Sequence, residues 1–222
     1  MTRRLYGLYA ITPDRSASVS QSTEPPLVEL VSRAARGGAR IIQYRDKGSD
    51  PSRRRTEAKA LLDLCRAIGI PLIINDDLDL AAAVGADGVH LGRDDPDPRA
   101  AREALGPDAL IGISCYDRLD LAQAAERAGA SYVAFGSFFP SPTKPDAARP
   151  GPDLLTEARR TLRVPLVAIG GITPQNAGPL ITAGADMVAV ITGVFSAPDV
   201  TAAAEAYSRL FSAPERPTED PQ

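Results

Sequence analysis

The sequence predicts an α/β protein folded as a single (β/α)8 barrel, and three observations predict it. Short apolar runs rich in Val and Ile recur along the chain, each followed by an amphipathic stretch, which is the pattern of βα units and a parallel sheet. Eight such runs fit into 222 residues. The pair Gly-Ala recurs at Gly38-Ala39, Gly85-Ala86, Gly129-Ala130 and Gly184-Ala185, at spacings of 47, 44 and 55 residues. Each pair closes an Ala-rich helical stretch and opens onto an apolar run, as a helix-stopping glycine and a small strand-entry residue do. An open doubly wound sheet is the alternative. Eight strands at regular spacing favour closure.

The elements follow in order. Strand 1 is GLYAIT from Gly7, and residues 14–26 after it form a Ser-rich loop. Strand 2 is RIIQYR from Arg40, directly after the first Gly-Ala pair. Strand 3 is PLIIND from Pro71, where proline is tolerated at a first strand position. Strand 4 is DGVHL from Asp87, and strand 5 is LIGISC from Leu110. Strand 6 is SYVAFG from Ser131, strand 7 is PLVAIG from Pro165, and strand 8 is DMVAVIT from Asp186. The barrel domain is expected over residues 1–212. Residues 213–222 are polar and Pro-rich and read as a disordered tail.

Composition narrows the function. Hydrophobic residues make up 44% and charged residues 24%, with a net charge of -3, which suits a globular domain with a sizeable core. A nucleic-acid binder is expected to be basic, so that class is set aside. No apolar run approaches the roughly 20 residues that span a bilayer, so no membrane role is expected. The N-terminal stretch before Pro13 is a poor signal peptide. Cys65 and Cys115 form no CxxC motif, and a reducing cytoplasm is the expected location. The chain has 22 Arg but 3 Lys, and two of those lysines, Lys47 and Lys144, follow strands.

In such barrels the chemistry sits at the C-terminal ends of the strands. Strand 2 ends in Gln43, Arg45 and Lys47, which alternate and so share a face, and two cations beside an amide suit a polyanion such as diphosphate. Asn75, Asp76 and Asp77 end strand 3, while His90, Gly92, Asp94 and Asp95 end strand 4. Asp76 and Asp95 read either as hard oxygen ligands for Mg²⁺ or as helix caps, the reading that suits Asp77, Asp94, Asp79 and Asp97. Ser114 ends strand 5. Ser141, Pro142, Thr143 and Lys144 form a stiff hydroxyl-and-cation loop after strand 6. Gly170-Gly171 leads to a helix expected to open with Thr173 as cap and Pro174 in its first turn; with Thr192-Gly193 after strand 8 it reads as a phosphate cradle. His90 reads either as a general base or as a structural hydrogen-bonder, Cys115 as a packing residue, and Arg53-Arg54-Arg55 as a solvated helix face. The rim thus offers two anion sites and no evident general base. Chemistry driven by departure of a diphosphate fits that set.

At these residues the chain resembles the thiamine-phosphate synthase (thiamine-phosphate pyrophosphorylase) family. The motifs are QYRDK from Gln43, IINDD from Ile73, DGVHLGRDD from Asp87, IGIS from Ile111, FGSFFPSPTKPD from Phe135 and AIGGIT from Ala168. The resemblance spans about residues 5–210, and the order and spacing of the motifs make it specific. It implies a (β/α)8 barrel that joins hydroxymethylpyrimidine diphosphate to hydroxyethylthiazole phosphate. Diphosphate would leave first, and the thiazole nitrogen would attack the resulting pyrimidine cation.

Carried over by motif, Gln43, Tyr44, Arg45, Asp46, Lys47, Asn75, Ser114 and Lys144 would bind the pyrimidine diphosphate. Arg45, Lys47, Ser114 and Lys144 would serve catalysis. Ser141, Pro142, Thr143, Gly171, Ile191 and Thr192 would hold the thiazole phosphate, and Asp76 and Asp95 one Mg²⁺. The expected partners are two small phosphorylated substrates, and a homo-oligomer is allowed. The family often has Thr at Ser141 and Ser at Thr192, so both hydroxyls remain. Cys115-Tyr116 follows Ser114 where many relatives have a nearby His, which argues against the related thiazole tautomerase. The complete metal pair argues against a non-catalytic sensor of thiamine intermediates.

Overall fold

The computed structural model describes residues 5–14, 25–140 and 149–211. Eight parallel strands close into a barrel in sequence order. They are β1 (Gly7–Ile11), β2 (Ala39–Tyr44), β3 (Leu72–Asn75), β4 (Gly88–Leu91), β5 (Leu110–Tyr116), β6 (Tyr132–Phe135), β7 (Leu166–Ile169) and β8 (Met187–Val190). The helices between them are α1 (Leu27–Arg36), α2 (Pro51–Ile68), α3 (Leu78–Val84), α4 (Pro98–Leu105), α5 (Leu119–Arg127), α6 (Asp153–Thr161) and α7 (Ala177–Thr182). The short α8 (Thr192–Phe195) and then α9 (Val200–Ser208) follow β8, and a 3-10 turn, Arg209–Phe211, ends the described chain. All eight strands fall on the apolar runs, and closure, not the open sheet, is the outcome. The expected loop over residues 14–26 lies mostly, and the tail over 213–222 wholly, outside the described residues.

Strand alternation builds two cores. On β1 and β2, Leu8, Ala10, Ile42 and Tyr44 face the helices, while Tyr9, Ile11, Ile41 and Gln43 face the barrel interior. The outer core takes its helical half from residues such as Val31, Leu61, Leu62 and Leu155, all fully buried. Inside, Tyr9, Ile41, Ile73, Tyr132, Val167 and Met187 fill the barrel, so it is packed and not a pore.

The Gly-Ala rhythm has a physical basis. Gly38, Gly85, Gly129 and Gly184 all have positive φ (95°, 71°, 89° and 119°), so each ends its helix in a conformation costly for other residues. The residue after three of these pairs then braces the neighbouring strand. Asp87 accepts the Leu72 amide at 2.8 Å, Ser131 the Ile111 amide at 3.0 Å, and Asp186 the Leu166 amide at 2.8 Å. The even strands thereby fix where the odd strands start. Among the described residues, no helix is long and apolar enough to cross a membrane.

Candidate active site

At the C-terminal ends of the strands lies a cavity of about 210 Å³. Gln43, Arg45, Asn75, Ser114, Gly171, Ile191 and Thr192 line it, so residues from five strand ends converge on one mouth. Thr12 holds the β2 contribution in place. Its hydroxyl accepts the Arg45 amide at 2.9 Å and donates to the Arg45 carbonyl at 3.3 Å, while its own amide donates to the Gln43 carbonyl at 2.9 Å. The Arg45 guanidinium lies 3.7 Å from the Asp14 carboxylate, a spacing that leaves it able to accept an anion.

Lys47, Asp76 and Asp95 form a charged cluster at the rim beside this cavity. The Lys47 ammonium contacts the Asp76 carboxylate. Asp76 stands in left-handed backbone (φ 61°), which Asp tolerates better than most residues, and its amide donates to the His90 carbonyl at 2.8 Å. Asp95 accepts the Gly92 amide at 2.6 Å and caps no helix. Burial, followed by hydrogen bonding and repulsion from the Asp76 carboxyl, pushes the Asp95 carboxyl above its ordinary range. Two carboxyls crowded in this way fit a divalent cation, which would relieve their repulsion. No group of three or more His, Cys, Asp or Glu side chains stands together among the described residues. A metal held by Asp76 and Asp95 would therefore complete its shell with water and ligand oxygens, the usual habit of Mg²⁺. The caps expected at Asp77 and Asp97 are present: Asp77 accepts the Leu80 amide and Asp97 the Arg99 amide, both at 2.8 Å.

The loops after β7 and β8 supply the other half of the mouth. Gly170 and Gly171 both have positive φ (102° and 61°), and a Cβ on Gly171 would stand 2.3 Å from the Pro140 carbonyl. Their carbonyls are occupied within the protein. Gly170 accepts the Phe139 amide at 3.0 Å, Gly171 the Asn176 side-chain amide at 3.1 Å, and Ile172 the Tyr207 hydroxyl at 2.9 Å. The N–H side of these peptides is thus the side suited to an anion. One expectation is corrected: the helix after this loop begins at Ala177, not at Pro174. Asn176 reaches back to accept the Thr173 amide at 2.8 Å, which holds Pro174 and Gln175 in a turn. Instead α8 opens directly after Ile191, whose carbonyl accepts the Val194 and Phe195 amides at 3.2 and 3.0 Å, so that only the Thr192 and Gly193 amides lack a partner within the helix.

Other expectations are also corrected. Tyr44 and Asp46 are not at the mouth, because alternation turns them toward α2. The Tyr44 hydroxyl donates to Glu57 at 2.7 Å, and Asp46 pairs with Arg53 at 2.7 Å. Arg53 and Arg54 are therefore not a solvated face, since Arg54 also pairs with Asp77 at 2.8 Å. Ser141, Pro142, Thr143 and Lys144 lie outside the described residues. Cys65 and Cys115 are buried, which pushes each thiol up to about 12, so neither is a nucleophile near neutral pH.

The sequence reading missed two residues, Tyr9 and Tyr132. Their hydroxyls lie 2.7 Å apart inside the barrel, and burial pushes both phenols well above their ordinary range, so both stay protonated. Gln43 donates to Tyr9 at 2.8 Å. His90 has one ring nitrogen 3.2 Å from the Tyr132 hydroxyl and the other 2.9 Å from the Ser114 hydroxyl. Of the two readings of His90, the hydrogen-bonder is the one this geometry favours. The available signal was a Tyr at an inward strand position, where a buried hydroxyl must find a partner.

Comparison with known proteins identifies the family. The family model described as thiamine monophosphate synthase matches residues 8–194. A thiamine-phosphate synthase of Thiobacillus denitrificans is 55% identical over 207 residues, covering 93% of this chain and 95% of that protein. One from an Azoarcus species is 53% identical over 212 residues, covering 96% of this chain and all of that protein. Among solved structures, a thiamine phosphate pyrophosphorylase from Pyrococcus furiosus superposes with a TM-score of 0.81 at 35% identity, over 93% of this chain and 96% of that one.

Proposed function

The chain belongs to the thiamine monophosphate synthase family, and from that premise we propose that it joins hydroxymethylpyrimidine diphosphate to hydroxyethylthiazole phosphate, yielding thiamine phosphate and diphosphate. The observation that carries the reading is a pair of unlike anion sites on one cavity. Arg45, with Lys47, Asp76 and Asp95 beside it, is rich in charge; the Gly171 and Thr192 loops offer mainly backbone. Two phosphorylated substrates of different charge suit such a pair.

The bond between the pyrimidine methylene carbon and the diphosphate oxygen breaks, and its electron pair leaves with diphosphate. The thiazole nitrogen then gives its lone pair to the pyrimidinylmethyl cation and becomes quaternary. Neither step removes a proton, which suits a site whose histidine is hydrogen-bonded at both ring nitrogens. Arg45 and Lys47 bind the departing diphosphate and favour charge developing on it. Asn75 and Ser114 orient the pyrimidine, and by the resemblance Lys144 adds a further cation. A Mg²⁺ held by Asp76 and Asp95 would supply charge neutralisation at the leaving group.

The test is an end-point assay with both substrates, with and without Mg²⁺, in which thiamine phosphate is oxidised to fluorescent thiochrome. Product that depends on both substrates and on Mg²⁺ is expected. Folded protein that binds the thiazole phosphate but forms no product would overturn the reading in favour of a tautomerase or a sensor.

A further inference from the structure

A continuous line of hydrogen bonds crosses the floor of the cavity from β2 to β5. It runs from Gln43 through Tyr9, Tyr132 and His90 to Ser114, with successive separations of 2.8, 2.7, 3.2 and 2.9 Å. Gln43, Tyr9, His90 and Ser114 line the cavity, while Tyr132 lies beneath it. The interior members are closed to water: Tyr132 is 0%, Tyr9 1% and Gln43 2% exposed.

The fold makes specific room for this line. In the strand register, Gly112 of β5 sits between His90 of β4 and Tyr132 of β6. A Cβ on Gly112 would stand 2.1 Å from the Tyr132 ring. The missing side chain lets Tyr132 reach across a whole strand, where its ring stacks on His90 at 5.7 Å between centroids. The Tyr9 and Tyr132 rings meet edge-on at 5.8 Å.

Each hydroxyl has one hydrogen to donate, so the direction of one bond sets the rest. The Gln43 side-chain amide donates to Tyr9. The Tyr9 hydrogen then goes to Tyr132, and the Tyr132 hydrogen goes to His90 Nδ1. The ring hydrogen must then sit on His90 Nε2, which donates to Ser114 Oγ. Gln43 keeps its carbonyl oxygen, and Ser114 its own hydroxyl hydrogen, for whatever occupies the cavity.

We propose that Tyr9, Tyr132 and His90 are positioning residues that fix this polarity, so that the cavity always meets its ligand with an acceptor at Gln43 and a donor at Ser114. For the ligand the inference rests on the proposed reaction. An aminopyrimidine edge, in which an amino donor adjoins a ring-nitrogen acceptor, complements that pair. Ser114 needs no base, because its role is to donate a hydrogen bond, not to attack.

The chain has a single histidine, so protein grown on isotopically labelled histidine, without a histidine tag, yields one imidazole in a long-range proton–nitrogen spectrum. A neutral ring with hydrogen on Nε2 is expected in the ligand-free protein. A ring with hydrogen on Nδ1 alone, or on both nitrogens, would overturn the proposal. Tyr132→Phe should change this signature and lower kcat by about ten- to hundredfold, with KM for the thiazole phosphate held within about twofold. An unchanged signature together with unchanged kcat would overturn the proposal too. If Tyr132→Phe does not fold, Tyr9→Phe breaks the line one bond earlier and is read in the same way. The wild-type spectrum needs no turnover, so an inactive protein with hydrogen on Nε2 would sink the proposed reaction and leave the polarity standing.

Discussion

The Lys47 ammonium rests against the Asp76 carboxylate, which joins the end of β2 to the end of β3 at the rim of the cavity. The Lys47 side chain is half exposed, and ion pairs of that kind contribute only about 0–1 kcal/mol to stability. The contact is therefore better explained by the site than by the fold. Lys47→Ala should lower kcat/KM by about a hundredfold or more, with Tm nearly unchanged. Arg55→Ala, on the exposed side of α2, is the control. Equal activity of the two variants would remove Lys47 from the site.

Asp95 braces the Gly92 amide but caps no helix, so its charge has no structural role of that kind to fill. Asp95→Asn keeps an acceptor for that amide while removing the charge. The Mg²⁺ concentration for half-maximal rate should rise by about tenfold or more, or turnover should be lost. An unchanged Mg²⁺ titration would show that Asp95 only braces the loop.

Gly171 has φ 61° and stands where a Cβ would be 2.3 Å from the Pro140 carbonyl. Gly171→Ala must displace the loop that follows β7. KM for the thiazole phosphate should rise by about tenfold, while KM for the pyrimidine diphosphate changes little. Equal changes in both constants, measured with each substrate varied in turn, would argue that the loop serves the whole cavity and not one substrate.

Asp186 accepts the Leu166 amide at 2.8 Å and pairs with Arg159, at the end of the barrel opposite the cavity. Asp186→Ala leaves that amide without its partner, at a cost of about 1–3 kcal/mol. For a domain of this size, Tm should fall by about 2–4 °C per kcal/mol, with both KM values unchanged. A thermal melt that matches wild type would show that the brace contributes nothing.

The barrel was legible because its signals are local. Each apolar run is a strand, and each Gly-Ala pair marks a helix end whose glycine has positive φ. The alternation of Gln43, Arg45 and Lys47 was also readable, but the same alternation sends Tyr44 and Asp46 to α2. A motif read as a block hides that split. The helix after β7 starts late because the Asn176 side chain, and not Thr173, closes the turn. The line from Gln43 to Ser114 was not legible at all. Tyr9 and Tyr132 are 123 residues apart, and only the barrel register, with Gly112 left empty between two strands, brings the second tyrosine to His90.

The most direct test of the central claim is phosphorus NMR of a single reaction mixture containing both substrates, Mg²⁺ and the protein. The ester diphosphate signals should be replaced by those of free diphosphate and thiamine phosphate in equal amounts. Persistence of both substrates, or release of orthophosphate without thiamine phosphate, would contradict that claim.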